Sequence, residues 1–109
     1  MPSVIITRYF KKQAKSLNKK FPNLKASLIE ILENLNIAQH PHLGQNLYKI
    51  RIRTSDIPRG KNKSFRVIAL FLCDNDQIIP ITLFYKRDRE NISKEEAKYH
   101  LAETLIELR

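Results

Sequence analysis

The chain has 109 residues and a formal net charge of +9, with 20 lysines and arginines against 11 aspartates and glutamates. A 42% share of hydrophobic residues excludes a disordered tail, and the single cysteine, Cys73, excludes an internal disulfide and a cysteine-based zinc site. The length favours one domain over residues 1–109, and the absence of an apolar run long enough for a membrane helix or a signal peptide predicts a cytoplasmic protein with no membrane partner.

The first half of the chain predicts a short strand followed by two helices. Residues 3–7 are mostly β-branched, which is typical of a strand. Residues 8–20 carry apolar side chains spaced by four and three, as in a helix: Phe10, Ala14 and Leu17. Pro22 ends this helix. One face of a second helix is then traced by Leu24, Leu28, Ile31, Leu32 and Leu35. Because so few residues separate them, the two helices should form an antiparallel hairpin.

The second half predicts three strands and a final helix. Residues 48–53 alternate strictly, with apolar side chains on one face and cations on the other. Residues 65–73 are almost continuously apolar, which favours a central strand with Cys73 buried in it. Residues 78–86 form a further strand, in which Pro80 indicates an edge or a bulge. A capping box at Ser93 opens the last helix. We therefore expect an α+β fold, a small antiparallel sheet in the order β-α-α-β-β-β-α with helices on its apolar face.

The positive charge is concentrated in three segments. The first covers residues 8–25 and contains no acid; the second covers residues 49–66 and is opposed only by Asp56; the third is residues 86–89. Single-sign clusters are the footprint of phosphate binding, although a solvated basic face remains the alternative for the first segment.

In an antiparallel meander, the cations of the second and third segments can meet on one wall of the sheet. Bare cations that lie close together repel one another, so such a wall predicts an anionic ligand. The loop after the first of these strands adds a basic arm, but it lacks the glycine spacing of a Walker loop. The residues that this interpretation brings together on the sheet are Lys49, Arg51, Arg53, Arg66, Lys86 and Arg87, and those on the arm are Arg59, Lys61 and Lys63.

Such a wall can cleave RNA without a metal. The reaction needs a base for the 2′-hydroxyl proton, an acid for the 5′ oxygen and cations around the phosphorane. Arginine suits the last role, and a lysine can serve as base or acid if neighbouring cations lower its pKa, which makes Lys49 the candidate. His40 and His42 have no cysteine or carboxylate at ligand spacing, so we predict neither a metal site nor a cofactor.

Three short motifs occur in a recognisable order: Tyr48-Lys49-Ile50-Arg51-Ile52, then Arg59-Gly60-Lys61 with Phe65-Arg66-Val67-Ile68, then Phe84-Tyr85-Lys86-Arg87. With the helix hairpin before them and the helix that begins near Ser93 after them, they resemble the RelE/ParE toxin superfamily of bacterial toxin–antitoxin systems, and its RelE-type branch most closely. This resemblance covers nearly the whole chain. It implies a ribosome-dependent endoribonuclease that cuts mRNA and arrests translation.

The resemblance also assigns roles to residues. It implies that Lys49 and Arg51 act on the 2′-hydroxyl and the phosphate, and that Arg66 stabilises the phosphate. Lys86 and Arg87 would support the leaving group or the phosphate. Ser93 stands where some relatives have a tyrosine. The expected contacts to RNA and ribosome are Arg53, Arg59, Lys61, Lys63 and Arg89.

The implied partners are a cognate antitoxin protein, the ribosome and mRNA, with DNA contacted only through the antitoxin. Two alternatives stay open. A ParE-like toxin would share the fold and act on DNA gyrase without cutting RNA, because a fold does not determine an activity. An inactive nucleic-acid-binding relative would keep the cations and cleave nothing.

Overall fold

The computed structural model describes residues 2–56 and 64–109. Within these ranges, three helices and four strands follow one another in the expected order, so the predicted α+β fold and its element order are confirmed. Short 3₁₀ turns lie at Ile37–Gln39 and Cys73–Asn75. In chain order, the main elements are β1 (Ser3–Val4), α1 (Arg8–Lys20), α2 (Leu24–Glu33), β2 (Leu47–Ile52), β3 (Phe65–Leu72), β4 (Gln77–Tyr85) and α3 (Lys94–Glu107).

The sheet is mixed, whereas the sequence predicted an antiparallel one. Its strand order is β1-β4-β3-β2, and β2, β3 and β4 form the expected antiparallel meander. Strand β1 joins the other edge in parallel with β4, where Ser3 pairs with Gln77. A register shift between Ile68 and Ala69 lies opposite Pro80, which confirms the predicted bulge; proline has no N–H to offer the ladder there.

Helices cover both faces of the sheet, and not one face as the sequence suggested. On the first face, α1 and α2 pack Phe10 and Leu28 over a core that includes Ile50 and Val67. On the second face, Ala97 of α3 packs on a smaller apolar cluster of Leu47, Ile68, Leu70, Ile79 and Ile81. The apolar cluster therefore occupies only part of the second face, and the cations described below lie on the same face at the other end of the strands.

Side chains of α1 and α3 fix both helices around the β4 edge. The side-chain amide of Gln13 donates to the carbonyl of Ile81 (2.8 Å) and so satisfies the edge backbone beyond the short β1. The Glu107 carboxylate at the end of α3 accepts hydrogen bonds from the backbone N–H groups of Arg8 and Tyr9 (2.7 and 3.0 Å) at the start of α1. These N–H groups have no partner within α1, and the helix dipole adds to the attraction.

Two further observations concern the position of Cys73 and the character of the helices. Cys73 lies in the 3₁₀ turn after β3 and is exposed, so the prediction that it is buried was wrong; β3 ends one residue earlier. Among the helices in the described part of the chain, none combines the length and the apolar character needed to span a bilayer.

Ser93 forms the predicted cap of α3. Its hydroxyl accepts the backbone N–H of Glu96 at 3.1 Å, and Ile92 packs on the cluster that contains Ala97. We expect Ser93→Ala to lower the free energy of unfolding by about 1 kcal/mol, because an N-terminal amide of the helix loses its acceptor. Urea denaturation measures this change. Ser93→Thr keeps the acceptor and should stay within a few tenths of a kcal/mol; equal losses in both variants would contradict the capping role.

Candidate functional site

The register of the sheet brings four cations to one face. Arg51 of β2 pairs directly with Arg66 of β3, and Lys49 lies two residues further along the same face of β2. The backbone N–H of Lys86 donates to the carbonyl of Ser64 (3.0 Å), which places Lys86 at the same end of the sheet. Directly paired residues project to the same side with Cβ atoms about 5 Å apart. We call Lys49, Arg51, Arg66 and Lys86 the cation site.

Arg66 is the buried centre of this site. Only 7% of its surface is exposed. Its guanidinium donates to the hydroxyl of Ser64 and to the carbonyl of Phe65 (3.4 Å). Burial, and then the charges of Arg51 and Arg53, lower its pKa from the ordinary arginine value. Because Arg66 has no carboxylate within ion-pair distance among residues 2–56 and 64–109, it is a buried charge poised for an anion.

Lys49 is half-buried beside Arg66. Its ammonium donates to the side-chain carbonyl of Asn91 at 3.5 Å, a long hydrogen bond. Burial, and then the charges of Lys86 and Arg66, lower the pKa of Lys49. A lysine with a lowered pKa holds more of its neutral amine at a given pH, and the neutral amine is the form that accepts a proton.

Lys86 has an acidic neighbour, but the interaction is weak. Its ammonium donates to the carbonyl of Glu90 (3.0 Å) and lies 3.7 Å from the Glu90 carboxylate, whose side chain is 91% exposed. Exposed pairs of this kind contribute about 0–1 kcal/mol. Lys86 therefore remains available to a phosphate or a leaving oxygen.

The remaining predicted site residues have different surroundings. Arg87 lies exposed in the turn after β4, where strand alternation no longer fixes its direction. Arg89 is held at the start of α3 by the Glu96 carboxylate and by the carbonyl of Asn91 (2.9 Å). Arg53 follows β2 and is exposed next to Arg66. The other three residues, Arg59, Lys61 and Lys63, lie outside the described residues.

A cleft of about 610 Å³ borders the cation site. Its floor is apolar and includes Leu47, Ile68 and Ala97, and Lys49 stands on its wall. His42 also borders the cleft and stacks on the ring of Tyr48 with centroids 4.7 Å apart. Within the described ranges, no group of three or more histidine, cysteine or acidic side chains could hold a metal ion.

Sequence reasoning missed two residues that position the cations. Ser64 orients the Arg66 guanidinium, and Asn91 accepts from Lys49 while its side chain also accepts the N–H of Ile92 (2.9 Å). Asn91 stands two residues before the cap of α3, a place where a short polar side chain commonly forms local turns. That signal marks a turn and does not indicate a contact to a strand 42 residues earlier.

Comparisons with known proteins agree with this architecture. The family model described as the RelE toxin of the RelE / RelB toxin-antitoxin system matches residues 3–108. In a sequence comparison, none of the curated proteins matches the chain.

Among solved structures, the free Escherichia coli toxin RelE with two arginines replaced by alanine is similar at 20% identity with a TM-score of 0.54, over 82% of this chain and 87% of that one. The isolated E. coli RelE toxin is similar at 14% identity with a TM-score of 0.51, over 91% and 95%. The intact E. coli RelBE toxin-antitoxin complex gives 18% identity and a TM-score of 0.48, over 76% and 94%. The two isolated RelE structures, with TM-scores of 0.54 and 0.51, support a shared fold.

Proposed function

The chain belongs to the RelE toxin family, and from this membership and the geometry of the cation site we propose that it is a ribosome-dependent endoribonuclease that cleaves mRNA and so inhibits translation. The proposal treats residues 1–109 as one toxin domain. It makes the cation site the place where a ribose–phosphate link of the message is held and cut.

One observation carries this proposal: a buried arginine at the centre of a wall of cations. Arg66 pairs across the strands with Arg51 and has no carboxylate neighbour in the described part of the chain. Directly opposed like charges destabilise a sheet, and a buried charge without a counter-ion is costly. A phosphate placed between these side chains would offset both costs, and arginine binds phosphate through two parallel hydrogen bonds.

The reaction that suits these groups is attack by the 2′-oxygen on the adjacent phosphorus. Lys49, as the neutral amine, takes the 2′-hydroxyl proton while the new P–O bond forms. Arg66 and Arg51 stabilise the charge that develops on the phosphorane oxygens. The bond from phosphorus to the 5′ oxygen breaks, and Lys86 donates a proton to that oxygen. The products are a 2′,3′-cyclic phosphate and a 5′-hydroxyl, and DNA is not a substrate because it lacks the 2′-hydroxyl.

The proposed partners follow from the same site. An antitoxin with an acidic or amphipathic segment would fold onto the basic toxin and block the cation site. Ribosome and mRNA are the targets, contact with DNA is indirect and passes through the antitoxin, and the protein acts in the cytoplasm. Arg53, Arg89 and the arm of residues 59–63 would contribute phosphate contacts around the cut.

The test is to induce the chain alone in growing bacteria and to map mRNA ends by primer extension. We expect growth arrest within the first generations and new 5′ ends inside translated codons, with none in untranslated RNA. The matched control is Lys49→Met at the same protein level, which should leave growth and mRNA intact. Continued translation accompanied by gyrase-dependent DNA breaks would overturn the proposal in favour of a ParE-like toxin.

A further inference from the structure

The outer face of α3 carries an apolar patch that no other part of the described chain covers. Among residues 2–56 and 64–109, five large hydrophobic side chains are exposed, and four of them lie within residues 99–108. Single exposed apolar side chains are common on protein surfaces, whereas a cluster of them marks an interaction surface. The exposed side chains of this patch are Tyr99, Leu105, Ile106 and Leu108.

The patch has the spacing of a coiled-coil seam. Ala102 follows Tyr99 by three residues and precedes Ile106 by four, and all three are exposed. At about 100° per residue, they fall within a sector of about 60° on the helix. The centre of this sector lies about 180° from the buried Ala97 and Thr104, which face the interior of the protein. We call Tyr99, Ala102 and Ile106 the α3 seam.

Two side chains of opposite charge flank the α3 seam. Lys98 precedes Tyr99 on one flank, and Glu103 follows Ala102 on the other. They stand five residues apart, the spacing at which a lysine of one helix meets a glutamate of its partner in a parallel two-stranded coiled coil. Neither side chain forms an ion pair among the described residues. Two copies of α3 are therefore complementary to each other when they lie side by side and parallel.

The charge of α3 makes it the region where two copies of this chain repel each other least. The helix contains four glutamates and two lysines, in a protein with a net charge of +9. Helix α1, by contrast, is rich in cations and contains no acid. An approach through α1 or the cation site would bring like charges together, whereas an approach through the α3 seam joins apolar side chains flanked by opposite charges. This contrast favours a second copy as the partner of the seam.

We propose that the α3 seam binds the α3 seam of a second copy of this chain, with the two helices parallel and related by a two-fold axis. Both copies use the same surface, so the contact closes on itself and gives dimers, not filaments. The small Ala102 lets the helix backbones approach, and Tyr99 and Ile106 of each copy pack on those of the other. The inference goes beyond the proposed function and does not depend on it.

Sedimentation equilibrium of the purified full chain, over micromolar to submillimolar concentrations, measures the dissociation constant of the dimer. A seam of two helical turns is a small interface, so we expect a dissociation constant on the order of 100 µM. Raising the NaCl concentration should tighten the dimer, because salt screens the repulsion between two chains that each carry a charge of +9.

A charge placed in the seam should prevent the contact. We expect Ile106→Glu to raise the dissociation constant at least about 10-fold, because two carboxylates would be buried opposite each other. Leu43→Glu is the matched control: Leu43 lies in the loop before β2, and its exposed fraction of 44% is similar to the 56% of Ile106. We expect Leu43→Glu to leave the dissociation constant within about 2-fold of the parent. Urea denaturation checks that both variants are folded.

Charge reversal tests the parallel orientation. Lys98→Glu alone should raise the dissociation constant about 3–10-fold, because two attractive pairs become repulsive. Adding Glu103→Lys should restore the dimer, since the same pairs return with their signs exchanged. In an antiparallel arrangement the flank of Lys98 meets the same flank of the other copy, so the double variant would not recover.

Every other outcome counts against the proposal. A monomer at all concentrations, at low and at high salt, would overturn it and leave the patch to a different partner. A dimer that Ile106→Glu does not weaken would place the contact on another surface. Dissociation on raising the salt concentration would indicate that bound nucleic acid joins the copies. Sensitivity to Ile106→Glu without recovery in the double variant would exclude the parallel orientation.

Discussion

Replacing Arg66 with methionine is expected to lower the rate of mRNA cleavage on the ribosome by about 10²–10³-fold, because a preorganised donor to the phosphorane is lost. Arg66 is the best-positioned cation of the site: it is buried, held by Ser64, and directly paired with Arg51. The change in rate is measured by single-turnover cleavage of mRNA bound to a ribosome. Growth after induction should recover in parallel.

Because Arg66 is buried, the choice of the replacing residue decides whether the variant stays folded. Truncation to alanine would leave a cavity in the sheet, so a loss of toxicity could reflect unfolding. Methionine fills most of the space, and an apolar side chain in place of an unpaired buried charge is often neutral for stability. We therefore expect Arg66→Met to change the free energy of unfolding, measured by urea denaturation, by less than about 1 kcal/mol.

Arg66→Lys separates charge from hydrogen-bond geometry. It keeps the positive charge but loses the planar fork that binds two phosphate oxygens, so we expect an intermediate rate. Full toxicity in Arg66→Met, with a normal denaturation curve, would exclude Arg66 from the reaction and remove the main support for the nuclease.

The cation site could largely be predicted from local patterns. Strict alternation over residues 48–53 fixes which side chains share a face, and a one-residue slip would turn Ile50 and Ile52 out of the core. The direct pairing of Arg51 with Arg66 is a matter of register, which alternation and strand order do not determine. The N-cap at Ser93 and the bulge at Pro80 were predictable for the same reason: each depends on a few neighbouring residues.

Features that depend on distant parts of the chain were not predictable in this way. The burial of Arg66 depends on packing across the sheet, and the contact between Lys49 and Asn91 joins residues 42 positions apart. The parallel pairing of β1 with β4 joins Ser3 to Gln77, and two helices and two strands lie between these residues in the sequence. Cys73 was misassigned because it continues the apolar run of β3, whereas the strand ends at Leu72 and the 3₁₀ turn begins at Cys73.

The cation site and α3 are coupled through a short segment. Residues 90 and 91 provide carbonyl oxygens to Lys86, Arg89 and Lys49, and Arg89 then pairs with Glu96 in the first turn of α3. Any partner that moves the start of α3 would therefore change the surroundings of both candidate proton-transfer lysines. A ligand that covers the 610 Å³ cleft would act on the same segment.

Lys49→Met is expected to lower the cleavage rate by about 10²–10⁴-fold, the usual contribution of a general base. The structure adds a more specific expectation, because the charge of Lys86 helps to lower the pKa of Lys49. Removing that charge in Lys86→Met should raise the pKa of Lys49 toward its ordinary value. At a pH below this pKa, less of Lys49 would then be the neutral amine. The cleavage rate would therefore fall for two reasons, the loss of Lys86 as a proton donor and the smaller neutral fraction of Lys49.

A direct titration separates this electrostatic effect from any role of Lys86 in the reaction. The side-chain resonance of Lys49 can be followed by NMR in protein labelled with ¹³C-lysine, and Lys49→Met identifies the signal. We expect the midpoint to move to higher pH in Lys86→Met and to stay low in Lys86→Arg, which keeps the charge. If Lys49 titrates at the same pH in the parent and in Lys86→Met, the cations do not tune its basicity, and a lysine that remains protonated at neutral pH can only stabilise the phosphate.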